Sequence, residues 1–281
     1  MTVHMAPDTQ IAKLLADIAS CHSAVLPGGR LLLFAGSQHI GYIKPELAER
    51  LCAQAPEITR AGDKIVMPLT LLRRFNELAA ALGIPTRRED FDVRATADGE
   101  VLGVLDRGAL PSFGVLGAGV HMNGLVRKPD GIWLWVARRA ANKKLDPGKL
   151  DHLVAGGIPA GHTAFATLLK EAEEEAGLDQ TLSAQAREVG RFRYNMDRPE
   201  GLRRDIVYAY DLDLPANFEP RAMDGEVESF ELWKLARVRE TLLTTDAFKF
   251  NVVLVLTDLL MRHGLFTPAQ AAELQRALHR S

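Results

Sequence analysis

The chain has 281 residues, 47% of them hydrophobic, and a formal net charge of -2 at pH 7. This is enough apolar material for two hydrophobic cores, so the length predicts two domains. The near balance of charge disfavours a nucleic-acid partner, because the basic residues are scattered as pairs and do not form one basic run.

The cysteines and the apolar stretches predict a cytoplasmic protein. Cys21 and Cys52 do not belong to a C-x-x-C pair, so neither a zinc site nor a disulfide framework is expected, and reduced cytosol is the simplest compartment. No charged-then-apolar leader opens the chain. The longest apolar stretches, such as residues 252–256, are far shorter than the roughly 20 residues of a membrane span, so no membrane association is expected.

The first third of the chain mixes helical and strand patterns. Helical spacing of apolar residues occurs at 11–18, 45–54 and 69–82, an apolar run at 31–34, and a possible strand pair at 91–95 and 101–105. This mixture predicts a small α+β domain over residues 1–115.

Strand patterns dominate from about residue 117. A Pro129-Asp130-Gly131 turn separates predicted strands at 120–127 and 132–138, with Trp133 and Trp135 on one face of the second. Further strands are predicted at 188–194, 205–212 and 230–233, and helices at 237–243, 248–263 and 268–279. Strands on both sides of a central helix predict an α/β domain over residues 116–281, built as an α/β/α sandwich.

Residues 156–178 read GGIPAGHTAFATLLKEAEEEAGL, a glycine-rich turn that runs into a helix. Glu171, Glu174 and Glu175 are spaced i, i+3 and i+4, which places three carboxylates on one helical face. Because like charges repel, the pattern indicates a cation, and Mg²⁺ prefers such oxygen ligands. The glycines let backbone groups approach a ligand closely, so a metal and a phosphate could meet here. The alternative is an exposed acidic helix after an ordinary loop.

This segment resembles the Nudix hydrolase box: Gly, five residues, Glu, seven residues, then Arg-Glu-apolar-x-Glu-Glu-x-Gly-apolar. Here the glycine is Gly156, and residues 170–178 supply the second half with its three glutamates intact. His162 replaces the first Glu of the box, and Lys170 replaces its Arg. Lys170 keeps the positive charge beside Glu171 but lacks the bidentate fork of Arg. We interpret His162 as a capping or packing residue of the turn, with ligation of a softer metal as the alternative, since Mg²⁺ does not seek imidazole.

Further motifs are similar to one Nudix subgroup that carries an extra N-terminal domain and is related to the Nudix part fused to thiamin pyrophosphokinase in fungi. They are Arg138, Lys143-Lys144 and residues 147–151, 154–157, 202–205 and 224–230. The resemblance implies a Nudix α/β/α sandwich with a mixed sheet, and Mg²⁺ or Mn²⁺ as cofactor. It also implies a hydrolase of phosphorus anhydride bonds that cleaves thiamin diphosphate, or its oxo and oxy analogues, to the monophosphate and phosphate.

The resemblance also implies the residues of the site. The expected metal ligands are Glu171, Glu174, Glu175, the carbonyl of Gly156, and Glu226 from a later loop. Glu171 either completes the metal shell or acts as the base, and Lys170 holds it in place. The expected substrate contacts are Arg138, Gly157, Arg204 and Glu228. Arg203 and Arg204 precede a predicted strand, so alternation allows only one of them to point at a ligand.

Two other functions fit the same sequence. The box binds a diphosphate and says little about the leaving group, so the substrate could be ADP-ribose or another nucleoside diphosphate derivative. Alternatively, His162 and Lys170 could mark a catalytically silent sensor of a diphosphate ligand. In each case we expect a small-molecule ligand and a monomer or homodimer.

Overall fold

The computed structural model describes residues 10–143, 145–223 and 225–279. Lys144 and Asp224, which belong to the motifs above, lie outside the described residues. The helices are α1 (Ala12–Cys21), α2 (Pro45–Gln54), a 3₁₀ helix (Leu69–Arg74), α3 (Phe75–Ala81), α4 (Leu110–Phe113), α5 (Ala164–Ala176), α6 (Gln180–Ser183), α7 (Leu235–Thr244), α8 (Val252–Arg262) and α9 (Pro268–Leu278). The strands are β1 (Leu31–Ala35), β2 (Gln38–Ile43), β3 (Thr59–Ala61), β4 (Lys64–Met67), β5 (Asp90–Val93), β6 (Gly103–Asp106), β7 (Leu116–Lys128), β8 (Gly131–Arg139), β9 (Leu150–Asp151), β10 (Val154–Gly157), β11 (Arg187–Arg198), β12 (Gly201–Asp213) and β13 (Val227–Lys234).

The N-terminal part is a small α+β unit, as predicted. Its sheet has the order β2-β1-β4-β3, in which β1 and β4 are parallel, and β5 and β6 form a separate antiparallel pair. Alternate residues of β1 are buried, so Leu33 packs with Phe75 and Phe113 in one core. The predicted helix at 69–82 is divided into the 3₁₀ helix and α3.

The second part is an α/β sandwich around a mixed seven-stranded sheet, which confirms the predicted fold class. The strand order is β11-β12-β7-β8-β13, and β10 and β9 add to β7 and β8. β12 runs parallel to β7, and the other pairs are antiparallel. Helix α5 covers one face through Leu168, Ala172 and Ala176, and α7, α8 and α9 cover the opposite face.

Helix α1 packs with the second sheet. Its buried residues Leu14, Ile18 and Cys21 belong to the same core as α8 and α9. Amphipathic spacing predicts such a helix and does not say which sheet it covers. The core of the first part ends at Val115, immediately before β7. The domain limits 1–115 and 116–281 stay a prediction.

The longest helix, α5, has 13 residues. Within the described part of the chain, no helix combines the length and the apolar content needed to cross a lipid bilayer.

Candidate active site

The box turn places helix α5 over strand β10. β10 pairs with β7, and the chain then turns into α5, where the hydroxyl of Thr163 accepts a hydrogen bond from the Ala166 N–H at 3.1 Å. The helix ends at Gly177, which adopts a left-handed φ of 65°. A Cβ atom built at Gly156 would lie 2.5 Å from Cδ of Glu171. A side chain at this position would displace the Glu171 side chain, which lies directly against the backbone of β10.

The three box glutamates do not share one environment. Glu171 and Glu174 line a cleft of about 810 Å³. Glu175 is 6% exposed, and its Oε2 accepts the Ala155 N–H at 2.8 Å. The helical face that carries the three carboxylates is thus divided: two side chains reach the cleft, and the third supports β10 from within the core.

The cleft is lined by both parts of the chain. The first part contributes residues from the segments around β5 and β6, namely Thr86, Arg87, Arg88, Glu89 and Arg107. The second part contributes Gly156 and Gly157 together with charged residues from several elements, namely Arg139, Lys143, Lys170, Glu171, Glu174, Arg203, Glu226 and Lys249. Acidic and basic side chains therefore meet around one cavity, which suits a ligand that combines a cation with anionic groups.

Four carboxylates form what we call the acidic cluster: Glu89, Glu171, Glu174 and Glu226. Burial raises the pKa of the Glu171 carboxyl, and the other three carboxylates raise it further, against the opposing effect of Lys170. The Lys143 ammonium forms an ion pair with Glu226. The acidic cluster carries an excess of negative charge that its lysines offset only in part.

Lys170 bonds to Glu174, and its Nζ lies 2.6 Å from Oε2 of that residue. The sequence interpretation assigned Lys170 to Glu171 instead. On a helix, residues four apart are neighbours, whereas adjacent residues point in different directions. Lys170 therefore orients Glu174 directly and acts on Glu171 only through its charge.

The donor chemistry of the acidic cluster matches the metal that the box implies, although among the described residues no three of its carboxylates place oxygens within 4.8 Å of one another. Its donors are carboxylate oxygens, which Mg²⁺ and Mn²⁺ prefer. Burial first, and then repulsion from the other carboxylates, raises the pKa of Glu171, and a divalent cation would relieve the repulsion.

A second cluster, which the sequence interpretation missed, lies in the core of the second part. His121, Asp151 and His152 are buried, and one ligand atom from each lies within 4.8 Å of the others. Burial lowers the pKa of both imidazoles, so they are neutral. Arg139 Nη1 and Lys249 Nζ lie 2.9 Å and 3.2 Å from Oδ2 of Asp151. Two imidazoles and two cations make this cluster a poor match for Mg²⁺.

Three of the predicted substrate contacts lie outside the cleft. Arg138 donates to the Gly148 carbonyl at 3.0 Å. Arg204 donates to the Gly114 carbonyl at 2.9 Å and lies over the ring of Tyr42, so it joins the two parts of the chain. Glu228 is exposed on β13. None of the three is among the described residues that line the cleft.

Gly157 and Arg203 do line the cleft. A Cβ atom at Gly157 would lie 2.6 Å from the Phe91 ring and 3.2 Å from the Arg107 guanidinium carbon, so the glycine allows β5 and β6 to approach β10. Arg203 reaches the cleft from β12, and its neighbour Arg204 lines an adjoining inner pocket instead.

His162 is exposed in the box turn. Its Nδ1 lies 3.2 Å from the Ala160 carbonyl oxygen. It lines a separate groove that also contains Phe165 and Tyr208. Among the described residues, the cleft lining does not include it, so the position of the first box glutamate supplies no carboxylate there.

The cleft continues into an inner pocket between the two parts. Its apolar lining includes Phe91 and Leu110 from the first part and Ile206 and Phe250 from the second. Five charged or glycine residues line both cavities, namely Arg107, Gly156, Gly157, Arg203 and Lys249. The inner pocket, of about 90 Å³, thus combines aromatic and aliphatic side chains with four cations, namely Arg107, Arg203, Arg204 and Lys249.

Comparison with known proteins identifies the second part. A sequence model of the NUDIX domain matches residues 118–253. "Nudix hydrolase 20, chloroplastic" of Arabidopsis thaliana is 39% identical over 231 residues, which are 82% of this chain and 57% of that protein. "Nudix hydrolase 24, chloroplastic" of the same plant is 38% identical over 244 residues, 84% of this chain and 62% of that protein. The chain thus spans less than two thirds of the length of either relative.

Among solved structures, DR0079 from Deinococcus radiodurans is similar with a TM-score of 0.44 and 20% identity, over 68% of this chain and 100% of that chain. The predicted cytoplasmic location is contradicted by the two plant relatives, because both are named as chloroplastic proteins. The match over residues 118–253 and the similarity to the two plant relatives show that this chain contains a Nudix domain.

Proposed function

We propose that the protein is a diphosphatase, dependent on Mg²⁺ or Mn²⁺, that hydrolyses thiamin diphosphate or its oxo and oxy analogues to the monophosphate and phosphate. The observation that carries the proposal is the meeting of the acidic cluster with a set of arginine and lysine side chains around one cleft. A diphosphate with its metal ion presents the complementary charges, since the metal binds carboxylates and the phosphoryl oxygens bind guanidinium and ammonium groups.

In the proposed reaction Glu171, Glu174, Glu226 and the backbone at Gly156 would hold the metal. When bound, the metal neutralises charge on the phosphoryl oxygens and lowers the pKa of water. A water oxygen attacks the terminal phosphorus, the bond from that phosphorus to the bridging oxygen breaks, and the organic monophosphate leaves. The oxygen of the Glu171 carboxylate that does not bind the metal accepts the proton of the water. Lys170 keeps Glu174 in position.

The inner pocket is proposed to hold the organic group. Phe91 and Phe250 offer aromatic surface for a planar ring. Asp205 also lines this pocket, and its Oδ2 accepts hydrogen bonds from the Tyr194 hydroxyl at 2.6 Å and from Arg203 Nε at 3.2 Å. Arg107, Arg203, Arg204 and Lys249 also line this pocket. The choice of thiamin esters as the substrate class therefore rests on the subgroup resemblance.

The proposal gives Glu175 a supporting role under β10 and assigns no direct contact to Arg138, Arg204 or Glu228, because each already has another partner or environment. Their roles as ligands stay predictions. The expected monomer or homodimer, and the expected absence of a nucleic-acid or membrane partner, also stay predictions.

The test is product analysis with the full chain. Phosphate release is measured with Mg²⁺ and with Mn²⁺ from thiamin diphosphate, its oxo and oxy analogues, ADP-ribose and nucleoside diphosphates, and the products are identified. We expect the thiamin esters to be preferred and to give monophosphate plus phosphate. The matched control is Glu174→Gln, which keeps the shape of the side chain and removes its charge.

Other outcomes select other functions. Cleavage of ADP-ribose to two organic monophosphates would retain a hydrolase and reject the thiamin assignment. No turnover above the Glu174→Gln background on the whole panel would reject the enzyme and favour a sensor of a diphosphate ligand.

A further inference from the structure

Lys249 is far from the Nudix box in sequence, but in the folded chain it lies at the cleft. It belongs to the segment between α7 and α8, where Phe248 bridges to Leu150 of β9 and the Lys249 N–H donates to the Leu150 carbonyl at 2.9 Å. This pairing brings Lys249 beside Asp151, the next residue of β9. The lysine is only 9% exposed, yet it lines both the cleft and the inner pocket.

Three cations converge at this point, and we call Arg139, Arg203 and Lys249 the basic cluster. Asp151 bonds to Arg139 and Lys249, and Asp205 bonds to Arg203. The neutral imidazoles of His121 and His152 beside Asp151 add no negative charge. Burial lowers the pKa of the Lys249 ammonium, and Arg139 and Arg203 lower it further against Asp151. An anionic ligand would relieve this repulsion.

The Lys249 ammonium has unused hydrogen-bond donors, whereas the Arg139 guanidinium already donates to several acceptors. Arg139 donates to Asp151, to the Asp146 carbonyl at 3.2 Å and to the Leu145 carbonyl at 3.0 Å. Within the part of the chain that the structure describes, the Lys249 ammonium donates to Asp151 alone. An ammonium carries three N–H donors, so two remain for a ligand.

We propose that Lys249, held in place by Asp151, is a diphosphate-binding residue supplied from outside the Nudix box, and that it forms an anion site with Arg203 where the cleft joins the inner pocket. The inference rests on the proposed function for the identity of the ligand. A ligand with its organic group in the inner pocket and its metal-bound phosphate at the acidic cluster would pass the residues that line both cavities. These residues include two cations of the second part, Arg203 of β12 and Lys249 of the 248–250 segment. Charge-assisted hydrogen bonds to phosphoryl oxygens are among the stronger protein hydrogen bonds.

The probe is methylenediphosphonate, a diphosphate analogue with a carbon bridge that water does not cleave. Its binding to the full chain is measured by calorimetry in EDTA, so that metal coordination does not contribute. Lys249→Met should weaken binding about tenfold or more, because one charge-assisted hydrogen bond is lost. The matched control is Lys149→Met, since Lys149 bonds to the Asp246 carbonyl and does not line the cleft. Thermal unfolding of each variant verifies the fold.

Equal affinity of Lys249→Met and the wild type, or no binding by the wild type, would overturn the inference. A crystal structure of the unmodified chain with the analogue tests it without any substitution. We expect a phosphonate oxygen within hydrogen-bond distance of Lys249 Nζ, and its location elsewhere would reject the site. These measurements require no turnover, so a chain that binds the analogue through Lys249 but does not hydrolyse thiamin diphosphate would reject only the proposed function.

Discussion

The acidic cluster and the basic cluster line the same cleft but are built in different ways. Glu171 and Glu174 stand within one turn of helix α5, and their spacing alone places them together. The basic cluster joins Arg139 of β8, Arg203 of β12 and Lys249 of the segment before α8. Local spacing therefore places two of the four carboxylates together, and the packing of distant segments brings Glu89, Glu226 and the basic cluster to the same cleft.

The two clusters also differ in how their charges are compensated. The acidic cluster is paired with the flexible, half-exposed Lys170 and with Lys143. In the basic cluster, Arg139 and Lys249 pair with Asp151, which is 4% exposed, and Arg203 pairs with Asp205. Exposed ion pairs contribute little to stability, whereas breaking a buried pair leaves a charge without compensation. Substitutions in the acidic cluster should thus affect activity first, and those around Asp151 should affect folding as well.

The largest expected effect is a loss of turnover on substitution of Glu174, in contrast to its buried neighbour Glu175. Glu174→Gln should lower turnover by about 10²-fold or more, because a charge that would hold the metal is lost. Its thermal midpoint should be nearly unchanged, since the side chain is half exposed. Steady-state kinetics and thermal unfolding measure the two quantities.

Glu175 provides the matched comparison. Glu175→Ala should destabilise the fold by about 1–3 kcal/mol, because the buried carboxylate that accepts the Ala155 N–H is removed. If Glu174→Gln retained normal turnover, the acidic cluster would not be the metal site.

The second prediction concerns the buried carboxylate of the basic cluster. Asp151→Asn should lower the free energy of unfolding by roughly 3–5 kcal/mol, because Arg139 and Lys249 lose their anionic partner. Urea denaturation measures it. Asp246→Asn, which removes an exposed partner of Lys13, is the control and should change stability little. An equal, small effect of both substitutions would show that Asp151 does not anchor the basic cluster.

Most of the fold is predictable from the sequence, because strand alternation and helical spacing are local signals. The hairpin of β7 and β8, the pair β5 and β6, and helices α2 and α5 all form where the pattern of apolar residues indicates them. The packing partner of helix α1 is not predictable in this way, because its buried face fits any apolar surface. Tertiary contacts place it against α8 and α9.

The site is predictable only where its residues are close in sequence. The box gives Glu171, Glu174 and Gly156 within 19 residues of chain, but Asp151 and Lys249 are 98 residues apart. Alternation along β12 predicts that only one of Arg203 and Arg204 points at a ligand. Which one does so depends on how β12 packs. Arg204 pairs with Leu116 of β7 and contacts Gly114 and Tyr42 of the first part. The sequence pattern of β12 does not predict these contacts.

The smallest predicted effect tests the electrostatics of the acidic cluster in metal-free protein. Burial and the neighbouring carboxylates raise the pKa of Glu171 in the folded state. The protonated carboxyl therefore contributes its full stabilisation of the fold below the ordinary glutamate pKa of 4.5. This contribution is lost as the pH rises through the raised pKa of the folded state. Gln is neutral at every pH, so Glu171→Gln should unfold at a higher temperature than the wild type at pH 8, by about 1–3 °C.

The difference between Glu171→Gln and the wild type should shrink at pH 5, where more of the wild-type carboxyl is protonated. Thermal unfolding in EDTA at both pH values measures it, and Glu228→Gln, an exposed carboxylate on β13, is the control. Saturating Mg²⁺ should reverse the order at pH 8, because the cation stabilises the wild-type cluster and finds one carboxylate fewer in the variant. A wild type that is the more stable protein in EDTA at pH 8 would mean that the lysines already compensate the acidic cluster, and the electrostatic reason for a metal at this site would be lost.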